Sequence, residues 1–161
     1  VGVVSLETVG CVDGHIHTID VQPVQAAMAA GLVPVVYGDV AFDSVRGGTI
    51  VSTEEVMMAL VEAIRPSWLL LAGETTGVYD LEEQVIPLIT QANYAEIEAA
   101  LGGSRGTDVT GGMASKVQSM LALVEQFPQL SIRIFSGLEP GNLAQTLLNP
   151  AEANGTLLRA N

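Results

Sequence analysis

Hydrophobic and polar positions follow two rhythms along this chain. "VGVVSL" and "SWLLLAG" are continuous apolar runs of strand length, and "STEEVMMALVEAI" repeats its apolar residues at helical intervals up to Ile64. "CVDGHIHTID" alternates about an Asp13-Gly14 turn, the pattern of a surface hairpin. Ser52 and Glu55 stand at capping-box spacing and mark where the helix in "STEEV" begins. Further helices are predicted in "PVQAAMAAG", opened by Pro23 and stopped by Gly31, in "NYAEIEAAL", from about Met113 to Phe127, and in "PGNLAQTLLN". "LVPVVYGD", "VAFD", "LSIRIF" and "GTLL" read as strands, and "GGSRGTDVTGG" as a long connection. Strands alternating with helices over residues 1–161 predict one α/β domain, with a mostly parallel sheet and helices on both faces. "SWLLLAG" breaks into the Gly-flanked "GETTGVYD", which predicts a central parallel strand delivering a loop where open α/β sheets take ligands.

Composition narrows the function classes. The 161 residues are 48% hydrophobic, enough for one buried core, and the net charge is −12. Six cations, Arg46, Arg65, Arg105, Lys116, Arg133 and Arg159, are scattered, which argues against nucleic acid as a partner. No apolar run approaches the roughly 20 residues that span a bilayer, so no membrane segment is expected. The single cysteine, Cys11, has no partner for an internal disulfide and fits a reducing compartment, the cytoplasm. The chain opens inside an apparent core strand, without an initiator Met or a leader, and reads as the middle of a fold.

The only lysine, Lys116, follows the Gly111-Gly112 pair in "DVTGGMASKV". Adjacent glycines before a helix allow backbone amides to approach an anion, the helix N-terminus adds its dipole, and a lysine about one turn in points back toward it. These are the parts of a phosphate cradle, although not of a Walker A loop. A solvated surface lysine beside a flexible loop is the alternative, and local pattern leaves both open. Ser52 and Thr53 at a helix start offer either a second anion site or ordinary capping. Cys11, Asp13, His15 and His17 alternate, but the Asp-Gly turn interrupts their shared face, so the segment reads as a hairpin and no metal centre is expected. No Gly-x-Ser-x-Gly elbow supports a hydrolytic triad.

The order of the segments carries more than any one of them. "GLVPVVYGDVAFD", "GGTIVSTEEV", "GETTGVYD", "DVTGGMASKV", "SGLEPGNLAQTLL" and "GTLL" together resemble the amino acid kinase superfamily, and within it the isopentenyl phosphate kinases. The resemblance implies a three-layer αβα sandwich, ATP with Mg2+ as cofactors, and γ-phosphoryl transfer to isopentenyl phosphate by a homodimer. Lys116 matches the lysine that contacts the ATP phosphates, with Gly111 and Gly112 as its backbone turn. Gly73, Glu74, Gly77, Val78, Tyr79 and Asp80 match the loop around the nucleotide, and Ser52 and Thr53 the segment facing the small phosphorylated acceptor. "STEE" stands where the family usually has "SGDD", and "GETTGVY" where it often has "TDVDGVY". The family's N-terminal lysine segment and its Gly-Gly-Gly-x-x-Gly-His segment have no counterpart, so an N-terminally incomplete unit is expected, and His15 and His17 do not take the family histidine's role. Two alternatives remain: a noncatalytic nucleotide-binding module, or a kinase of the superfamily with another small carboxylate, phosphate or phosphonate acceptor.

Overall fold

The computed structural model describes residues 2–3, 9–102 and 109–161. The chain divides into two compact units, Val1–Arg65 and Pro66–Asn161.

The first unit runs β1 (Gly2–Val3), β2 (Gly10–Val12), β3 (His15–Thr18), α1 (Gln22–Ala29), β4 (Pro34–Val35), β5 (Val40–Asp43), β6 (Gly47–Ile50) and α2 (Thr53–Ile64). β1 pairs parallel with β4, and a four-stranded sheet has the order β3-β2-β5-β6. Of the run "VGVVSL", Gly2 and Val3 form a strand and the remainder lies outside the described residues. The predicted hairpin forms: Asp13 and Gly14 take φ of 49° and 90°, the left-handed pair that a two-residue turn requires, and β2 pairs antiparallel with β3. β5 and β6 make a second hairpin that draws Gly47 and Gly48 into pairing, where the sequence suggested only a turn. α2 starts on the predicted capping box, with Ser52 Oγ accepting from the Glu55 amide and Glu55 reaching back to the Ser52 amide. Its apolar stripe, Val56 and Leu60, packs with Val9, Cys11, Val24 and Val51.

The second unit runs β7 (Trp68–Gly73), β8 (Leu88–Ile89), α3 (Gln91–Gly102), α4 (Val109–Gln126), β9 (Ser131–Ser136), α5 (Asn142–Leu148) and β10 (Thr156–Arg159). Its sheet has the order β7-β9-β10-β8, so β9 is a central strand and β7 an edge of this sheet, contrary to the expectation from "SWLLLAG". The reason lies in burial. Ile132, Arg133, Ile134, Phe135 and Ser136 are all buried, covering both faces of β9, whereas β7 is only half-buried and becomes exposed at Ala72 and Gly73. The sheet is mixed. β7 pairs parallel with β9 and β8 with β10, but β10 runs antiparallel to β9. α4 packs on β9 and β10, and α5 on β7. Phe127, Leu130, Ile132, Phe135, Ile89 and Leu158 fill the core.

The glycine pair lies inside a helix. α4 begins at Val109, about four residues before the predicted start at Met113, so Gly111 and Gly112 lie in its first turns rather than in a turn ahead of it. Glycine's poor helix propensity hid this start. Residues 103–108 of the predicted long connection lie outside the described residues. Among the described residues, no helix is long and apolar enough to cross a membrane.

Candidate functional site

The loop after β7 carries the largest group of predicted site residues. Gly73 closes the strand, its carbonyl accepting from the Gly137 amide at 2.8 Å, and Glu74 is exposed. Thr76 Oγ1 and the Tyr79 hydroxyl are hydrogen-bonded at 2.6 Å. Gly77 is buried, and a Cβ there would lie 2.7 Å from Val85 Cγ1 and 2.8 Å from Thr156 Oγ1. Val78 is fully buried; its amide donates to Thr156 Oγ1 at 2.8 Å and its carbonyl accepts from Ile86. Gly77 and the Val78 side chain therefore anchor the loop, while Gly73, Glu74 and Tyr79 form its open surface. Asp80 Oδ1 accepts from the amides of Glu82 and Gln84 at 3.0 and 2.8 Å, closing the turn that starts the return to β8.

Lys116 sits in the second turn of α4, half-buried and preceding the fully buried Val117. It lies seven positions after Val109, a rise of about 10 Å. α4 and the β7 loop both meet β10, the helix by packing and the loop through Thr156.

Ser52 and Thr53 belong to the first unit and are exposed. Ser52 Oγ caps α2, and Thr53 Oγ1 accepts from the Gly38 amide at 3.0 Å. Gly38 closes the segment "PVVYG". A Cβ there would collide with the Val51 carbonyl and lie 2.6 Å from the Thr53 amide, so the Gly38 backbone seats directly against the start of α2. Thr156 was missed, because its partner is 78 residues away.

A cleft of about 510 Å³ between β3 and α2 is lined by His15, His17, Glu55, Met58, Ala59 and Glu62 among others, and by none of the residues assigned from the resemblance. Among the described residues no three His, Cys, Asp or Glu side chains are grouped to hold a metal ion.

Mixed sheets with helices packed on them, and a glycine-bounded loop leaving a strand's carboxyl end, define an α/β protein. The chain belongs to the amino acid kinase family, whose model matches residues 2–136. Isopentenyl phosphate kinase of Haloferax volcanii is 44% identical over 93 residues, which cover 58% of this chain and 37% of that protein. The Methanothermobacter thermautotrophicus isopentenyl phosphate kinase is 30% identical over 148 residues, 89% of this chain and 54% of that protein. An X-ray structure of isopentenyl phosphate kinase shares the fold with a TM-score of 0.74 at 24% identity, over 97% of this chain and 58% of that one. The chain thus spans about half the length, or less, of these curated relatives.

Proposed function

We propose that the protein is an ATP-dependent small-molecule kinase that phosphorylates isopentenyl phosphate. The observation that carries this reading is the identity shared with two isopentenyl phosphate kinases from different organisms. An oxygen of the acceptor phosphate attacks the γ-phosphorus of ATP, the bond to the bridging oxygen breaks, and isopentenyl diphosphate and ADP result. Such transfer depends on positioning and charge neutralisation more than on a covalent nucleophile. Lys116 and the amides at the start of α4, Gly111's included, hold the ATP phosphates. Gly73, Glu74 and Tyr79 border the nucleotide, with Gly77, Val78 and Asp80 shaping their loop. Ser52 and Thr53, at the start of α2, belong to the acceptor side.

Mg2+ would be held by the ATP phosphates and water, as is usual for this ion. When bound it supplies charge neutralisation at the phosphates. A cytoplasmic homodimer completes the reading.

The test is coupled ADP release by the natural full-length protein with isopentenyl phosphate as acceptor. Turnover is expected with isopentenyl phosphate and not with a carboxylate such as glutamate. Preference for the carboxylate would move the protein to another acceptor class, and ATP binding without any phosphorylated product would make it a noncatalytic nucleotide-binding module.

A further inference from the structure

We propose that Thr156 is a positioning residue for ATP, acting through the loop after β7. The inference rests on the reading that this loop borders the nucleotide. Thr156 is fully buried at the first position of β10, opposite Ile134 of β9. Its Oγ1 accepts the Val78 amide at 2.8 Å, and the absence of a Cβ at Gly77 lets the loop lie directly on that hydroxyl. Gly155, immediately before it, has φ of 104°, and a Cβ there would collide with the Ile134 carbonyl. The chain therefore enters β10 pressed against β9, which fixes the height of the Thr156 hydroxyl above the sheet.

From this point the loop is fixed in both directions. Val78 O accepts from Ile86 at 2.8 Å, Tyr79 bridges to Val85, and the Leu157 amide donates to Pro87 at 3.0 Å, carrying the return segment into β8 beside β10. Toward β7, the stretch from Glu74 to Gly77 runs between the strand end at Gly73, held by the Gly137 amide, and the buried Val78 contact. Removing the acceptor would leave the Val78 amide buried without a partner, a penalty that the loop can relieve only by moving. Tyr79 is the next residue and would move with it.

Two variants separate the hydroxyl from the packing. Thr156→Val keeps the shape and loses the acceptor; Thr156→Ser keeps the acceptor and loses one methyl group. Hydrogen exchange at the Val78 amide is measured without nucleotide, ATP binding by calorimetry, and KM and kcat in the coupled assay. Thr156→Val is expected to lose protection at Val78 and to weaken ATP binding roughly 10-fold or more, with KM for the acceptor unchanged. Thr156→Ser is expected to restore both protection and affinity. Unchanged ATP affinity in Thr156→Val overturns the proposal, as does a Thr156→Ser protein that binds ATP as weakly as the valine variant. If the wild-type protein binds no ATP, the nucleotide reading falls and takes this proposal with it; if the wild type binds and Thr156→Val binds equally well, the proposal alone falls.

Discussion

Asp43 Oδ2 accepts the Gly14 amide at 2.6 Å, joining two hairpin turns 29 residues apart. Oδ1 accepts from Val45 and Arg46 at 2.8 Å and from Asp13 at 3.2 Å, so one carboxylate organises both turns of the first unit's four-stranded sheet. Arg46 in turn pairs with Asp13 at 2.9 Å, over a Gly14 that has no side chain to block it. β6 leaves this junction and leads directly to the cap of α2.

The protonation of Asp43 gives the first prediction. Burial pulls its pKa upward, but the amides of Arg46, Gly14, Val45 and Asp13 outweigh burial and hold it at about 2, below the ordinary 3.8. A carboxyl lowered in the folded state stabilises fully above its ordinary value, and that stabilisation is lost as pH falls toward about 2. Asn at this position replaces one acceptor oxygen with a donor facing amides. Asp43→Asn should therefore melt below the wild type at neutral pH, with the gap narrowing through the window between 3.8 and about 2. Circular dichroism melts across that range check it; a gap independent of pH would remove the carboxylate's charge from the explanation.

Ser52 makes a prediction that separates capping from substrate contact. Its hydroxyl accepts the Glu55 amide at 3.1 Å and its own amide is held by Glu55 Oε2 at the same distance. Ser52→Ala should cost about 1 kcal/mol of stability. The urea midpoint should shift with the m-value unchanged. A larger rise in acceptor KM than this loss explains would show that the hydroxyl also reaches the acceptor.

How much of this was legible in the sequence follows from how local each signal is. The α2 capping box and the Asp13-Gly14 hairpin span a few residues, and both were readable. The central place of β9, the antiparallel entry of β10 and the short strand β8 depend on pairing between distant segments, which a periodic pattern does not encode. α4 was placed too late because two glycines argue against a helix, and only packing on β9 and β10 overrides that preference. In the loop after β7 the glycines are visible in the sequence but their anchor is not: nothing near Gly77 points to Thr156.

Lys116 gives the sharpest test of the anion reading. Lys116→Ala should lower kcat/KM by on the order of 100-fold, as the loss of one preorganised electrostatic contact does elsewhere. Lys116→Arg should recover part of it, because the charge remains while the reach and geometry differ. Steady-state kinetics with varied ATP check both, and an alanine variant with unaltered kinetics would leave Lys116 a surface lysine.

Arg133 concerns the frame that holds Thr156. Its guanidinium is buried in β9 and donates to the carbonyls of Pro150 at 3.1 Å and Ala151 at 2.9 Å, fastening the segment that leads to Gly155 and Thr156. Burial lowers its pKa, the mark of a charge held at a solvation cost. Lysine would keep the buried charge yet lack the rigid fork that reaches two carbonyls, whereas methionine would give up the charge and leave Pro150 and Ala151, neither buried, accessible to water. Arg133→Lys should therefore cost on the order of 2–3 kcal/mol, and Arg133→Met less. Denaturant titration gives the order directly. If methionine proves the more damaging, the carbonyl contacts outweigh the cost of burying the charge, and the variant should then also lose Val78 amide protection, since the segment carrying Thr156 would have come loose from β9.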